Sequence, residues 1–167
     1  MAWTVLAPCG AVLAALLLCS PASVQAHGDA KGPSVMPATS EATGPAMTIY
    51  RSASCGCCTQ WGEHIAAAGF RINDQVNDDM DRVKQANGIA PDQASCHTAI
   101  AEGYVIEGHV PASSIQRLLA ERPDIRGLAV PGMPIGSPGM EVKGRTADPF
   151  AVMAIAHDGS TTVFDRY

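Results

Sequence analysis

The sequence predicts an α/β domain, and three observations carry that prediction. Segments in which apolar and polar residues alternate, as in half-buried strands, are interleaved with segments whose apolar residues recur at helical spacing. The first strand-like segment leads straight into a cysteine-rich turn, Cys55-Gly56-Cys57-Cys58, that opens the first helical one. Near the C-terminus Asp158-Gly159 separates two strand-like segments, a strong hairpin signal. The chain has 167 residues and is 47% apolar, enough for one domain with a real core plus a tail. Its eight aromatics (two Trp, three Tyr, three Phe) are a thin supply, so the core must rest on Val, Ile, Leu and Ala.

The elements follow in order from Met47. Met47 to Arg51 alternates as a strand. Ser52 to Ser54 is a turn, and Ser54 is placed to cap a helix. Trp61, Ile65 and Ala68 recur at helical spacing until Gly69 stops the helix. Phe70 to Val76 reads as a second strand, and Asp78 to Asn87 as a polar helix, acidic in its first turn and closed by Gly88. Cys96 to Ala101 and Tyr104 to Gly108 form two short strands around Glu102-Gly103. Pro111 to Glu121 is a helix with Pro at its start and Ile115, Leu118 and Leu119 on one face. Gly127 to Glu141 reads as a long Gly/Pro loop that contains Pro-Gly-Met twice. Phe150 to His157 and Thr161 to Tyr167 complete the chain as a β-hairpin. The order is β-α-β-α-β-β-α, then a Gly/Pro/Met loop and a C-terminal β-hairpin. A βαβ unit followed by a ββα unit, with cysteines at the first strand-to-helix turn, is the arrangement of a single thioredoxin-like domain.

Only 16% of residues are charged, the net charge is −5, and Lys and Arg form no cluster, which disfavours a nucleic-acid partner. The apolar content also sets the chain apart from disordered proteins. At the N-terminus, Ala11 to Leu18 is an apolar run too short to span a bilayer, followed by Pro21 and the small-residue pattern Val24-Gln25-Ala26. Residues 1–26 are therefore expected to be a secretory signal peptide cut after Ala26, with no stable membrane insertion afterwards. Leu18 disfavours lipid attachment at Cys19. Residues 27–46, rich in Gly, Pro, Ser, Thr and Ala, read as a flexible linker, and residues 47–167 as the domain. The expected location is the periplasm, where unprotected thiols tend to pair.

Loss of the signal removes Cys9 and Cys19 and leaves Cys55, Cys57, Cys58 and Cys96. The free N–H groups at a helix start favour thiolates, which are both nucleophiles and soft-metal ligands. Cys55 and Cys58 form a C-x-x-C pair suited to thiol–disulfide exchange or to a plain structural disulfide. Cys57 is surplus to both and favours metal. Adjacent thiolates suit bridging of several ions better than one tetrahedral zinc, and soft sulfur selects Cu(I). In a thioredoxin-like chain the segment before the third strand passes beside the cysteine turn. Redox members hold a cis proline there, whereas this chain has Ser95-Cys96-His97, so Cys96 is expected to supply a fourth sulfur. His97 would point to the opposite face of a strand from Cys96, which leaves it a core or accessory residue. Met133 and Met140 in the loop are accessory candidates through their thioethers. His27 is another, through the amine and imidazole of the expected mature terminus. His64 reads as a surface residue, His109 and His157 as structural ones.

Cys55 to Cys58, Trp61, Ser95 to Ala99, Gly103 to Pro111 and Val130 to Glu141 together resemble the CopG-type family of secreted bacterial copper-resistance proteins. The resemblance runs from about Met47 to Tyr167. It implies a thioredoxin-like domain, a periplasmic location and a multinuclear copper–thiolate site at Cys55, Cys57, Cys58 and Cys96. It further implies work beside periplasmic copper carriers or exporters, with Cu(I)/Cu(II) interconversion as one use of the site. The residues assign no catalytic group and no turnover reaction. A thiol–disulfide oxidoreductase acting through Cys55 and Cys58 is the alternative.

Overall fold

The computed structural model describes residues 43–167. The expected signal segment, most of the expected linker and His27 lie outside them. Among the described residues ten elements follow one another: β1 (Ala46–Arg51), α1 (Gly56–Ala67), β2 (Arg71–Val76), α2 (Met80–Ala86), β3 (His97–Ala101), β4 (Tyr104–Glu107), α3 (Ala112–Glu121), β5 (Gly127–Ala129), β6 (Ala151–Ile155) and β7 (Thr161–Arg166). The seven strands form a single mixed sheet in the order β2-β1-β3-β4-β5-β6-β7. β1 pairs parallel with β2 across the α1 crossover and antiparallel with β3. β3 and β4 form a hairpin, and β4 pairs parallel with β5 across the α3 crossover.

Alternation along the strands divides the sheet into two faces. Met47 and Ile49 of β1, Ala99 and Ala101 of β3, Ile106 of β4 and Leu128 of β5 point to one face. There they meet Trp61 and Ile65 of α1 and Ile115 and Leu118 of α3, all essentially inaccessible to solvent. Val105, Ala129 and Ile155 point to the other face, where they pack with Ile89 beyond the end of α2. Trp61 is the largest of the fully buried side chains, and its indole N–H is satisfied by the Val110 carbonyl at 2.9 Å.

Three expectations need correction. Gly127 to Ala129, read as the start of the loop, form β5, which joins the C-terminal hairpin to the sheet. A Cβ at Gly127 would overlap the Val105 carbonyl oxygen, so glycine is what lets the two strands approach. Ser54 does not cap α1; Cys55 occupies that position and no side chain caps it. The first strand begins before Met47, since Ala46 opens β1, and just ahead of it Gly44 and Pro45 offer their carbonyls to Arg71 at 3.0 Å each. None of the helices among the described residues is long and apolar enough to cross a membrane.

Candidate metal centre

The site lies at the end of the sheet where β1 finishes and β3 begins. Arg51, the last residue of β1, grips Asp74 of β2: its Nε donates to both carboxylate oxygens at 3.0 and 3.1 Å and its Nη2 to Oδ2 at 2.5 Å. Its backbone then turns through Ser52, whose carbonyl accepts from the Cys55 N–H at 3.2 Å. Helix α1 starts at once, so Cys55, Cys57 and Cys58 crowd its first turn. That end of a helix has N–H groups without intrahelical partners and favours negative charge.

The structure brings all four expected cysteines together. Their sulfurs lie within 4.8 Å of one another. Cys55 and Cys58 are joined as a disulfide with their Cα atoms 5.4 Å apart, and Cys57 and Cys96 are free. The Cys57 sulfur stands 3.6 Å from that of Cys55 and 4.0 Å from that of Cys96. Cys58 is the buried member (1% exposed), while Cys57 is half-buried and faces the other thiols. Burial, reinforced by the neighbouring Cys57, pushes the Cys96 thiol up to about 12, so without a cation it keeps its proton at neutral pH.

Two imidazoles complete the arrangement. His109 Nε2 lies 3.0 Å and His97 Nδ1 3.4 Å from the Cys96 sulfur. His109 donates from Nδ1 to the Pro138 carbonyl at 2.8 Å, which leaves its Nε2 as the bare, accepting nitrogen. His97 is fully buried against the Trp61 indole, with ring centroids 4.2 Å apart, and its Nε2 has no hydrogen-bond partner. Burial first, then the nearby His109 and Lys84, holds His97 well below the usual imidazole range; burial also lowers His109. Both rings are therefore neutral at pH 7, the form that ligates metals.

The expectation that His97 faces away from Cys96 fails for a local reason. The ladder of β3 begins at His97, so Cys96 precedes it and is not bound by strand alternation. His109, read as structural, lies with its Nε2 against the Cys96 sulfur. Its signal was its place in the Gly103 to Pro111 segment, where it follows β4 and returns toward the start of β3. His64 is exposed on α1, and His157 is exposed and paired with Asp124 at 3.1 Å. Met133 is 53% exposed, and Met140 is half-buried with its N–H bonded to the Ser137 carbonyl at 2.8 Å.

The segment after β5 wraps the site. Gly132 donates to the Ala94 carbonyl at 3.2 Å and accepts from the Ser95 hydroxyl. Pro138 holds His109. Gly139, at φ +81°, presses on the first turn of α1, where a Cβ would stand 2.7 Å from Trp61 N and 2.9 Å from the Cys57 carbonyl. Only glycine satisfies both that conformation and that approach.

A mixed α/β domain with a sulfur-rich site backed by neutral imidazoles defines a class, proteins with a thiol-based site able to hold a metal ion. Residues 93–140, which contain Cys96, His97, His109 and most of the wrapping loop, match a protein family described as of unknown function, DUF411. Two solved structures, forms 1 and 2 of copper resistance protein CopG, share 44% identity with the chain. Each superposes with a TM-score of 0.70, covering 74% of this chain and 98% of that one. No curated protein matches. The chain belongs to the CopG copper-resistance family.

Proposed function

We propose that this protein is a periplasmic copper protein whose thioredoxin-like domain holds Cu(I) as cargo for storage, transfer or redox cycling. The ligands in this reading are the thiolates of Cys55, Cys57, Cys58 and Cys96, sharing more than one ion. His97 and His109 stand beside them, and Met133, Met140 and His27 are accessory groups. Copper carriers or exporters of the periplasm would be its partners, reached after cleavage at Ala26. The observation that carries the reading is the convergence of four sulfurs within 4.8 Å on two neutral imidazoles. A cation displaces the Cys96 proton on binding, so uptake releases protons. The Cys55–Cys58 disulfide must first be reduced by a thiol reductant, which supplies two electrons and frees both sulfurs. Anaerobic competition of the reduced protein with a Cu(I) chelator tests the reading. More than one Cu(I) per chain is expected. An end point of one metal, with zinc preferred, would contradict the shared-thiolate site.

The Cys55–Cys58 disulfide itself favours a second reading, a thiol–disulfide oxidoreductase working through that pair. It gives no role to Cys96, His97 or His109. Insulin-reduction activity that survives replacement of Cys96 would favour it.

A further inference from the structure

Behind the site, on the α2 face of the sheet, Glu107 is fully buried at the end of β4. One carboxylate oxygen accepts from Lys84 Nζ at 2.5 Å and from the Ser95 backbone N–H at 2.7 Å. The other accepts from the Thr98 hydroxyl at 2.6 Å, and Lys84 also lies 3.2 Å from Thr98 Oγ1. A buried ion pair of this kind is poor evidence for stability, because desolvation offsets the attraction and apolar packing would serve a core as well. Its geometry points to a different use. Ser95 is the residue before Cys96, and both precede the β3 ladder, so no neighbouring strand fixes that stretch of backbone. Glu107 holds the Ser95 N–H from one side, while the Ser95 hydroxyl donates to Gly132 of the wrapping loop on the other.

We infer that Glu107, held in place by Lys84 and Thr98, is a positioning residue that sets the Cys96 sulfur against Cys57 and His109. The inference rests on the copper–thiolate reading in that the sulfur it places is one of the proposed ligands. A carboxylate suits the task because it takes three donors at once, from α2, from β3 and from the Ser95 peptide. Leucine would fill the space and offer no acceptor. Glutamine would still accept from Ser95, and the Thr98 hydroxyl can rotate to accept from its amide.

Glu107→Leu, Glu107→Gln and Thr98→Val test the assignment. In the metal-free reduced protein the readouts are the amide proton shift of Ser95 and the ratio of Cys96 to Cys57 alkylation rates. In the copper-loaded protein the readout is Cu(I) affinity by chelator competition. Glu107→Leu should move the Ser95 amide upfield, change the alkylation ratio and weaken Cu(I) binding about tenfold or more, as loss of a supporting group does. Glu107→Gln should keep affinity within about threefold of wild type and leave the Ser95 amide near its wild-type shift; that shift, which packing alone does not set, separates positioning from packing. Should Glu107→Leu fail to fold, the near-isosteric Thr98→Val carries the test, with the same directions at smaller size. A folded Glu107→Leu or Thr98→Val protein with unmoved Ser95 amide, alkylation ratio and affinity overturns the assignment. If wild-type protein binds no Cu(I), the copper reading fails, and the two metal-free readouts still decide what Glu107 does.

Discussion

Cys96→Ser separates the two functional readings most sharply. The substitution replaces a soft sulfur by a hard oxygen on a shorter bond and so removes one of four candidate thiolates. Loss of a group that merely supports a ligand costs roughly 10–100-fold in metal affinity, and loss of a ligand itself should exceed that. Each tenfold corresponds to about 1.4 kcal/mol, so a loss beyond about 3 kcal/mol of binding is expected. The fold should tolerate the change. A buried hydroxyl without a partner costs about 1–3 kcal/mol, but here the bare Nε2 of His109, 3.0 Å from the present sulfur, is available as an acceptor. The penalty should therefore fall near or below about 1 kcal/mol. Cu(I) stoichiometry and affinity, measured anaerobically against a chelator, should drop while circular dichroism stays unchanged. Insulin reduction through Cys55 and Cys58 provides the control. A folded Cys96→Ser protein with wild-type stoichiometry and affinity would refute the placement of Cys96 in the site.

Three further outcomes follow from the same geometry. Replacing Met133 and Met140 together with Leu, which nearly conserves volume, should speed copper loss or oxidation without unfolding; unchanged off-rates and oxidation rates would reduce the two thioethers to packing. The disulfide-bonded, metal-free protein should lose stability as pH falls from 7 toward 5. His97 and His109 have depressed values in the folded state, so the unfolded chain takes up protons first, below its ordinary 6.5, and the stability present above that pH is lost on the way down. Glu107 is shifted upward by burial and acts in the opposite sense, its contribution being largest below its ordinary 4.5 and lost as pH rises through the folded value. A melting temperature that stays flat or rises between pH 7 and 5 would show that the histidines do not dominate. Protein recovered from the periplasm should have the mass of residues 27–167, and a mass that includes residues 1–26 or a lipid on Cys19 would remove the cleavage assignment.

What could be read from the sequence was whatever local pattern dictates. Helix α1 declared itself through apolar spacing and a glycine stop: it ends at Ala67 before Gly69, and Gly69 takes the positive φ (+98°) that only glycine adopts freely. The hairpin of β6 and β7 was visible from Asp158-Gly159, although its connecting turn runs from Ala156 to Ser160. β5 was not legible because three residues, one of them glycine, show no alternation; the strand exists through its neighbours on both sides. The cysteines were found because their chemistry is unusual at any spacing. His109 and Glu107 were not, because nothing local marks them. They matter through contacts across 13 residues in one case and 12 in the other, made where the end of β4 lies beside the start of β3.

Cys55 and Cys58 belong to both readings, so they cannot decide between them. As a disulfide they offer no thiolate, and as thiolates bound to copper they are withdrawn from exchange. The two states therefore compete for the same pair of sulfurs. What surrounds the pair fits the proposed copper reading better than exchange. Exchange needs an accessible sulfur and a second to resolve the mixed disulfide, and Cys55 with Cys58 meets that need alone. Nothing in it calls for a third sulfur 3.6 Å away, a fourth 4.0 Å beyond, or two neutral imidazoles on that fourth sulfur. Keeping these groups costs the fold free energy. His97 is buried with its Nε2 unsatisfied, and the Cys96 thiol, raised to about 12 by burial and its sulfur neighbour, becomes a thiolate at neutral pH only beside a cation. A soft cation at the sulfurs takes the place of that thiol proton and meets the nitrogens that face Cys96, His109 Nε2 at 3.0 Å and His97 Nδ1 at 3.4 Å from its sulfur. The disulfide does neither.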